Sequence, residues 1–119
     1  MKDNAIESKS KAFAIRIVRL YQFLSAKRQE YVLSKQILRS GTSIGANIRE
    51  GIQGFSKNDF IFKMSTALKE CSETLYWLEL LHETGYLSTS QFSSIQCDAE
   101  ELLKLLTAIV KTARREHAT

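Results

Sequence analysis

Few side chains in this chain can do chemistry, and their spacing decides what each is fit for. Glu79 and His82 form Glu-x-x-His, the spacing with which helix bundles present half of a di-iron site. Such a site needs a second Glu-x-x-His and two further carboxylates, and the chain has no second copy of the motif. His82 is read instead as an imidazole in the last turn of a helix, facing its negative end. The only other histidine that could act as base for a Ser or Cys nucleophile is His117, two residues from the end. Cys71 and Cys97 are far apart and in no C-x-x-C pattern, so they make neither a disulfide framework nor a zinc site. Glu50, Glu70 and Glu73 could hold a hard cation or serve as acid and base. The reading preferred is structural: they pair with Arg39, Arg49 or Lys69, or accept hydrogen bonds from Asn47 and the serines. The run GTSIGAN, Gly41 to Asn47, lacks the Gly-Lys-Ser/Thr ending of a phosphate loop and follows no strand. The expectation is a protein with no catalytic residue, no metal and no cofactor.

Four amphipathic segments must carry these groups. With no proline and 5 glycines in 119 residues, long helices are free to form. Phe13, Ile17, Leu20 and Leu24 recur at helical spacing in a segment expected over about 6–25. Leu33, Ile37, Gly41, Ile44 and Ile48 do so over about 31–53. The third segment, about 57–84, carries Phe60, Met64, Ala67, Cys71, Leu75, Leu78 and His82. The fourth, about 89–115, carries Phe92, Ile95, Ala99, Leu102, Leu106, Ile109 and Ala113. Ser56 with Asp59 and Ser88 with Gln91 resemble capping boxes, and Gly85 is a natural helix stop. Short connections between four helices give an all-α fold: an antiparallel up-down-up-down four-helix bundle, one domain over 1–119.

Charge is unevenly spread. Residues 1–57 hold 11 Lys+Arg against 4 Asp+Glu, a net +7, whereas residues 58–119 hold 6 against 9, a net −3. A basic face that tracks phosphates is one reading and a solvated helix surface is the other. The nucleic-acid-binding candidates are Arg16, Arg19, Lys27, Arg28, Lys35, Arg39 and Arg49. Only Tyr21 and Tyr31 lie among them as stacking groups, which argues against sequence-specific reading of a single strand. The third helix has more apolar surface than one packing face needs, so Phe62, Tyr76, Trp77 and Leu80 are candidates for an interface between copies. A polar stripe, Gln36, Ser43, Asn47 and Glu50 with Glu73, is read as a network that organises the bundle. The N-terminal MKDNAIESKSKAF has no apolar run, and no stretch could span a bilayer, so a cytoplasmic protein with no membrane partner is expected.

The segment QILRSGTSIGANIREG, Gln36 to Gly51, resembles the bacterial four-helix-bundle family of 23S rRNA intervening-sequence proteins. The family pattern is matched by Gln36, Arg39, Ser43, Ile44, Ala46, Asn47, Ile48, Glu50 and Gly51. Asp59 to Leu81 resembles the family's third helix, with Glu73 at an acidic position, and the likeness covers about residues 10–87. The resemblance implies a cyclic homopentamer. Related accessory proteins of diversity-generating retroelements bind nucleic acid and a reverse transcriptase, so RNA or DNA and a protein partner are implied as well. Many relatives carry proline where this chain has Gly45, and a straighter second helix is expected here. The expectation is a non-enzymatic homo-oligomer that binds nucleic acid through a basic surface. The alternative is a scaffold that binds protein only.

Overall fold

The computed structural model describes residues 5–118, and these form four helices with short connections. They are α1 (Ala5–Ala26), α2 (Leu33–Ile52), α3 (Lys57–Glu83) and α4 (Thr89–Ala118). Expectations for residues 1–4 and 119 lie outside the described residues. The helices run antiparallel around a square, in a bundle 50 Å long and 24 by 20 Å across. Helix α1 packs on α2, α2 on α3, and α3 on α4, while α1 and α4 meet least.

In the first three helices the core follows a period of 3.5 residues. In α1, Ser10, Phe13, Ile17 and Leu24 are buried, and half-buried Leu20 completes a 3-4-3-4 spacing. In α2 the same spacing joins Ser34, Ile37, Gly41, Ile44, Ile48 and Gly51. In α3 it joins Met64, Ala67, Cys71, Thr74, Leu78 and Leu81. A seven-residue repeat keeps one seam against its neighbour when helices wind around each other with a left-handed twist. This corrects three expected positions: Ser34, Thr74 and Leu81 are buried where Leu33, Leu75 and His82 were expected, and those three are half-buried. In α4, Val110 is buried and Ile109 only half-buried.

Hydroxyl residues fit these core positions because each satisfies its own polar group. Ser10 Oγ donates to the Glu7 carbonyl at 3.0 Å and Ser34 Oγ to the Glu30 carbonyl at 2.8 Å. Thr74 Oγ1 lies 2.8 Å from the Glu70 carbonyl and 2.9 Å from Ser40 Oγ, a buried bond across the α2–α3 interface. No buried side-chain nitrogen or oxygen among the described residues lacks a partner. Gly41 has a different role. A Cβ there would lie 2.7 Å from Ile17 Cγ1, so its absence lets α1 approach α2. Helix α2 runs unbroken through Gly45.

The helix ends explain the connections. Ser56 Oγ accepts the Asp59 N–H at 3.0 Å. Ser88 and Gln91 cap reciprocally: Gln91 N donates to Ser88 Oγ at 3.1 Å, and Ser88 N donates to Gln91 Oε1 at 2.9 Å. Gly85 takes φ +88°, and Tyr86 N reaches back to the Leu81 carbonyl at 2.8 Å, which closes α3. The α1–α2 turn uses an acid not foreseen for this purpose. Glu30, only 8% exposed, accepts the N–H groups of Val32, Leu33 and Ser34 at 3.2, 2.9 and 2.6 Å. Its carboxylate therefore faces the positive start of α2.

Candidate nucleic-acid interface

The seven cationic candidates divide by what they touch. Arg16 on α1 donates to Asp98 Oδ2 at 2.8 Å and to Ser94 Oγ at 2.9 Å, tying α1 to α4 where the bundle packs least. Arg39 on α2 donates to Glu70 at 3.2 Å and Glu73 at 2.7 Å on α3. The hydrogen bond from Arg39 is the largest cause holding the Glu73 carboxyl below its ordinary pKa, and the same bond raises that of Arg39. Arg49 on α2 pairs with Glu7 on α1 at 3.0 Å. These three arginines are neutralised by carboxylates and serve as clasps between helices.

The other four remain uncompensated. Arg19, Lys27 and Lys35 are exposed, and their side chains make no hydrogen bond or ion pair among the described residues. Arg28 donates to two carbonyl oxygens, Tyr86 O at 2.8 Å and Gly85 O at 3.2 Å, and lies 5.1 Å from the centre of the Tyr86 ring. Carbonyls carry no net charge, so Arg28 keeps its own. All four sit toward one end of the bundle: Lys27 and Arg28 in the α1–α2 turn, Lys35 in the first turn of α2, and Arg19 about 10 Å along α1 from its last residue. Glu79 and Glu83 stand exposed on α3 toward the same end, so this end is positive on its α1–α2 side and negative on its α3 side.

The structure does not join Gln36, Ser43, Asn47, Glu50 and Glu73 into one network. Ser43 Oγ donates to the Ser40 carbonyl at 3.0 Å and Asn47 Nδ2 to the Ser43 carbonyl at 2.9 Å, both within α2. Glu50 accepts from Lys63 Nζ at 2.8 Å, and Gln36 is exposed. Of the five, Glu50 and Glu73 each reach a neighbouring helix but not one another: Glu50 pairs with Lys63 of α3, and Glu73 accepts from Arg39 of α2 and from Trp77 Nε1 at 3.2 Å. The polar link across this interface that spacing did not reveal is Ser40–Thr74. Thr74 lies on the heptad seam of α3 and Ser40 stands beside Gly41 of the α2 seam, so the pair is legible only once a 3.5-residue period is imposed.

The apolar candidates lie on the outward side of α3. Phe62 is 64% and Tyr76 54% exposed, while Trp77 and Leu80 are half-buried. The Tyr76 and Trp77 rings meet edge-on with centres 5.2 Å apart.

The groups first considered for catalysis are placed otherwise. His82 stacks on Phe92 at 4.4 Å between ring centres, and its Nε2 lies 3.3 Å from Thr89 Oγ1. Burial pushes the Cys71 thiol up to about 12, so it stays protonated beside the Ala99 carbonyl. No group of three His, Cys, Asp or Glu among the described residues is placed to hold a metal ion. No helix among them is long and apolar enough to cross a membrane.

A family model described as 23S rRNA-intervening sequence protein matches residues 2–108. Among solved structures, the chain is similar to a protein of unknown function from the S23 ribosomal protein family of Bacteroides thetaiotaomicron VPI-5482. The two are 58% identical, with a TM-score of 0.90, over 93% of this chain and 99% of that one. No curated protein matches the chain.

Proposed function

The chain belongs to the 23S rRNA-intervening sequence protein family, and from that premise we propose that it is a non-enzymatic homo-oligomer, a pentamer, that binds nucleic acid through the basic end of its bundle. The observation that carries this reading is the division of the cations. Arg16, Arg39 and Arg49 spend their charge on carboxylates, whereas Arg19, Lys27, Arg28 and Lys35 keep theirs and gather at one end. Charge left uncompensated in one place is what a phosphate backbone selects, and a ring of protomers multiplies it.

The oligomer is supported by two features of the surface. Phe62 and Tyr76 expose apolar area on α3 that a monomer leaves in water. The α1–α2 half is basic and the α3–α4 half acidic, so a head-to-tail contact brings opposite charges together. Head-to-tail contacts close into rings when the rotation permits. Light scattering is expected to give a mass of five times 13.6 kDa, and a monomer at micromolar concentration contradicts the ring.

Binding is tested with nuclease-treated protein and labelled RNA or DNA over a range of salt. Affinity that falls linearly on a log–log plot is expected. No affinity at low salt favours the second reading, a scaffold that binds protein only, for which the apolar α3 face is the supporting observation.

A further inference from the structure

We infer that the ligand of this basic end is single-stranded nucleic acid, with a base stacked on the ring of Tyr31; this rests on the nucleic-acid reading above and names its substrate class. Tyr31 lies in the α1–α2 turn, four residues after Lys27 and four before Lys35. Its side chain is 56% exposed, and neighbouring Val32 is 71% exposed. The Tyr31 ring has no aromatic or cationic partner and its hydroxyl no hydrogen bond among the described residues. The other tyrosines are occupied or covered. Tyr76 packs edge-on against Trp77, Tyr86 lies under Arg28, and Tyr21 is half-buried.

The backbone beneath Tyr31 is fixed. Gln29 takes φ 55°, Glu30 N donates to the Leu24 carbonyl at 2.9 Å, and the Glu30 carboxylate holds three N–H groups at the start of α2. The turn is therefore pinned on its inner side and presents an aromatic ring and an apolar side chain on its outer side. On a fixed backbone an aromatic side chain has only its two side-chain torsions to lose on binding. An unpartnered ring between two unpartnered lysines is the combination that grips single strands: cations follow the phosphates and the aromatic face takes a base. Every base has a π-face, so this contact is indifferent to sequence. In a duplex the bases are already stacked on one another, and the ring has nothing to take.

The test is fluorescence anisotropy with labelled oligouridine, labelled oligothymidine and a duplex of matched length. Both single strands are expected to bind more tightly than the duplex. Tyr31→Phe keeps the stacking face and is expected to bind within about twofold of the unchanged protein, whereas Tyr31→Ala loses about tenfold. The salt slope stays the same in both, because Tyr31 touches no phosphate. Tyr31 lies outside the core, so both variants keep the fold. Equal binding by Tyr31→Ala, or a duplex bound as tightly as the single strands, overturns this inference and leaves the nucleic-acid reading standing. No binding by any of the three probes at low salt overturns both.

Discussion

Arg28 holds Tyr86 by main chain and ring at once: Nη1 donates to the Tyr86 carbonyl at 2.8 Å, and the guanidinium carbon lies 5.1 Å from the ring centre. Through this contact the α1–α2 turn is fastened to the α3–α4 turn. The same arginine contributes charge to the basic end, so its removal affects stability as well as binding. Arg28→Ala is expected to lower stability by about 1–2 kcal/mol, from two lost hydrogen bonds and a lost cation–π contact. Urea denaturation measures this. An unchanged midpoint would show that the two turns hold their places independently.

Gly41 faces Ile17 where α1 packs against α2. A Cβ at position 41 would come within 2.7 Å of Ile17 Cγ1 and 2.9 Å of Cγ2. Both atoms belong to a fully buried, β-branched side chain with little room to move. Gly41→Ala is expected to cost about 1–3 kcal/mol through overpacking. The same substitution in an Ile17→Ala background should cost less, and a double-mutant cycle reads the difference. Strict additivity contradicts the assigned clash.

Glu73 is held below its ordinary pKa of 4.5 chiefly by the hydrogen bond from Arg39. A depressed folded value means that the ionised form is favoured by the fold. That stability is present above about pH 4.5 and is lost as pH falls through the folded value. Glu73→Gln should therefore be less stable than the unchanged protein at pH 7, with the gap closing below pH 4.5. Urea midpoints from neutral to acid pH follow it. A constant gap at all pH values assigns the loss to packing instead.

The two cysteines should differ in reactivity. Cys71 is buried with its thiol raised to about 12, whereas Cys97 is exposed. A colorimetric thiol reagent is expected to titrate one thiol rapidly in the folded protein and both in urea. Two rapid thiols in the folded protein contradict the burial of Cys71.

The legible parts of the fold were those signalled by residue type. Ser56, Ser88 and Gly85 marked helix ends because their chemistry is local, and the structure ends helices there, with both bonds of the capping box at Ser88 and the hydroxyl bond alone at Ser56. Core positions filled by Ser10, Ser34 and Thr74 escaped a search for apolar residues, since each hides its hydroxyl on a carbonyl of its own helix or the turn before it. The role of Glu30 was hidden for a related reason. A capping box places the hydroxyl residue first, and here the carboxylate comes first, with Ser34 donating back to its carbonyl. Charge counting found the basic half of the chain. It could not tell Arg39, spent on Glu70 and Glu73, from Lys35, which has no partner, because that distinction exists only after the helices pack.

The most direct test of the basic end is the salt slope of binding in a variant that removes its three partnerless cations. Arg19→Gln, Lys27→Gln and Lys35→Gln together should leave the fold intact, since none of the three side chains contributes a hydrogen bond or ion pair to it among the described residues. With a single-stranded probe, the slope of log affinity against log salt is expected to fall by about 2 in magnitude per protomer engaged. A control with Lys104→Gln and Lys111→Gln, exposed on α4, should leave the slope unchanged. A slope unaltered by the triple variant, with binding intact, contradicts the assignment of the phosphate contacts to this end of the bundle.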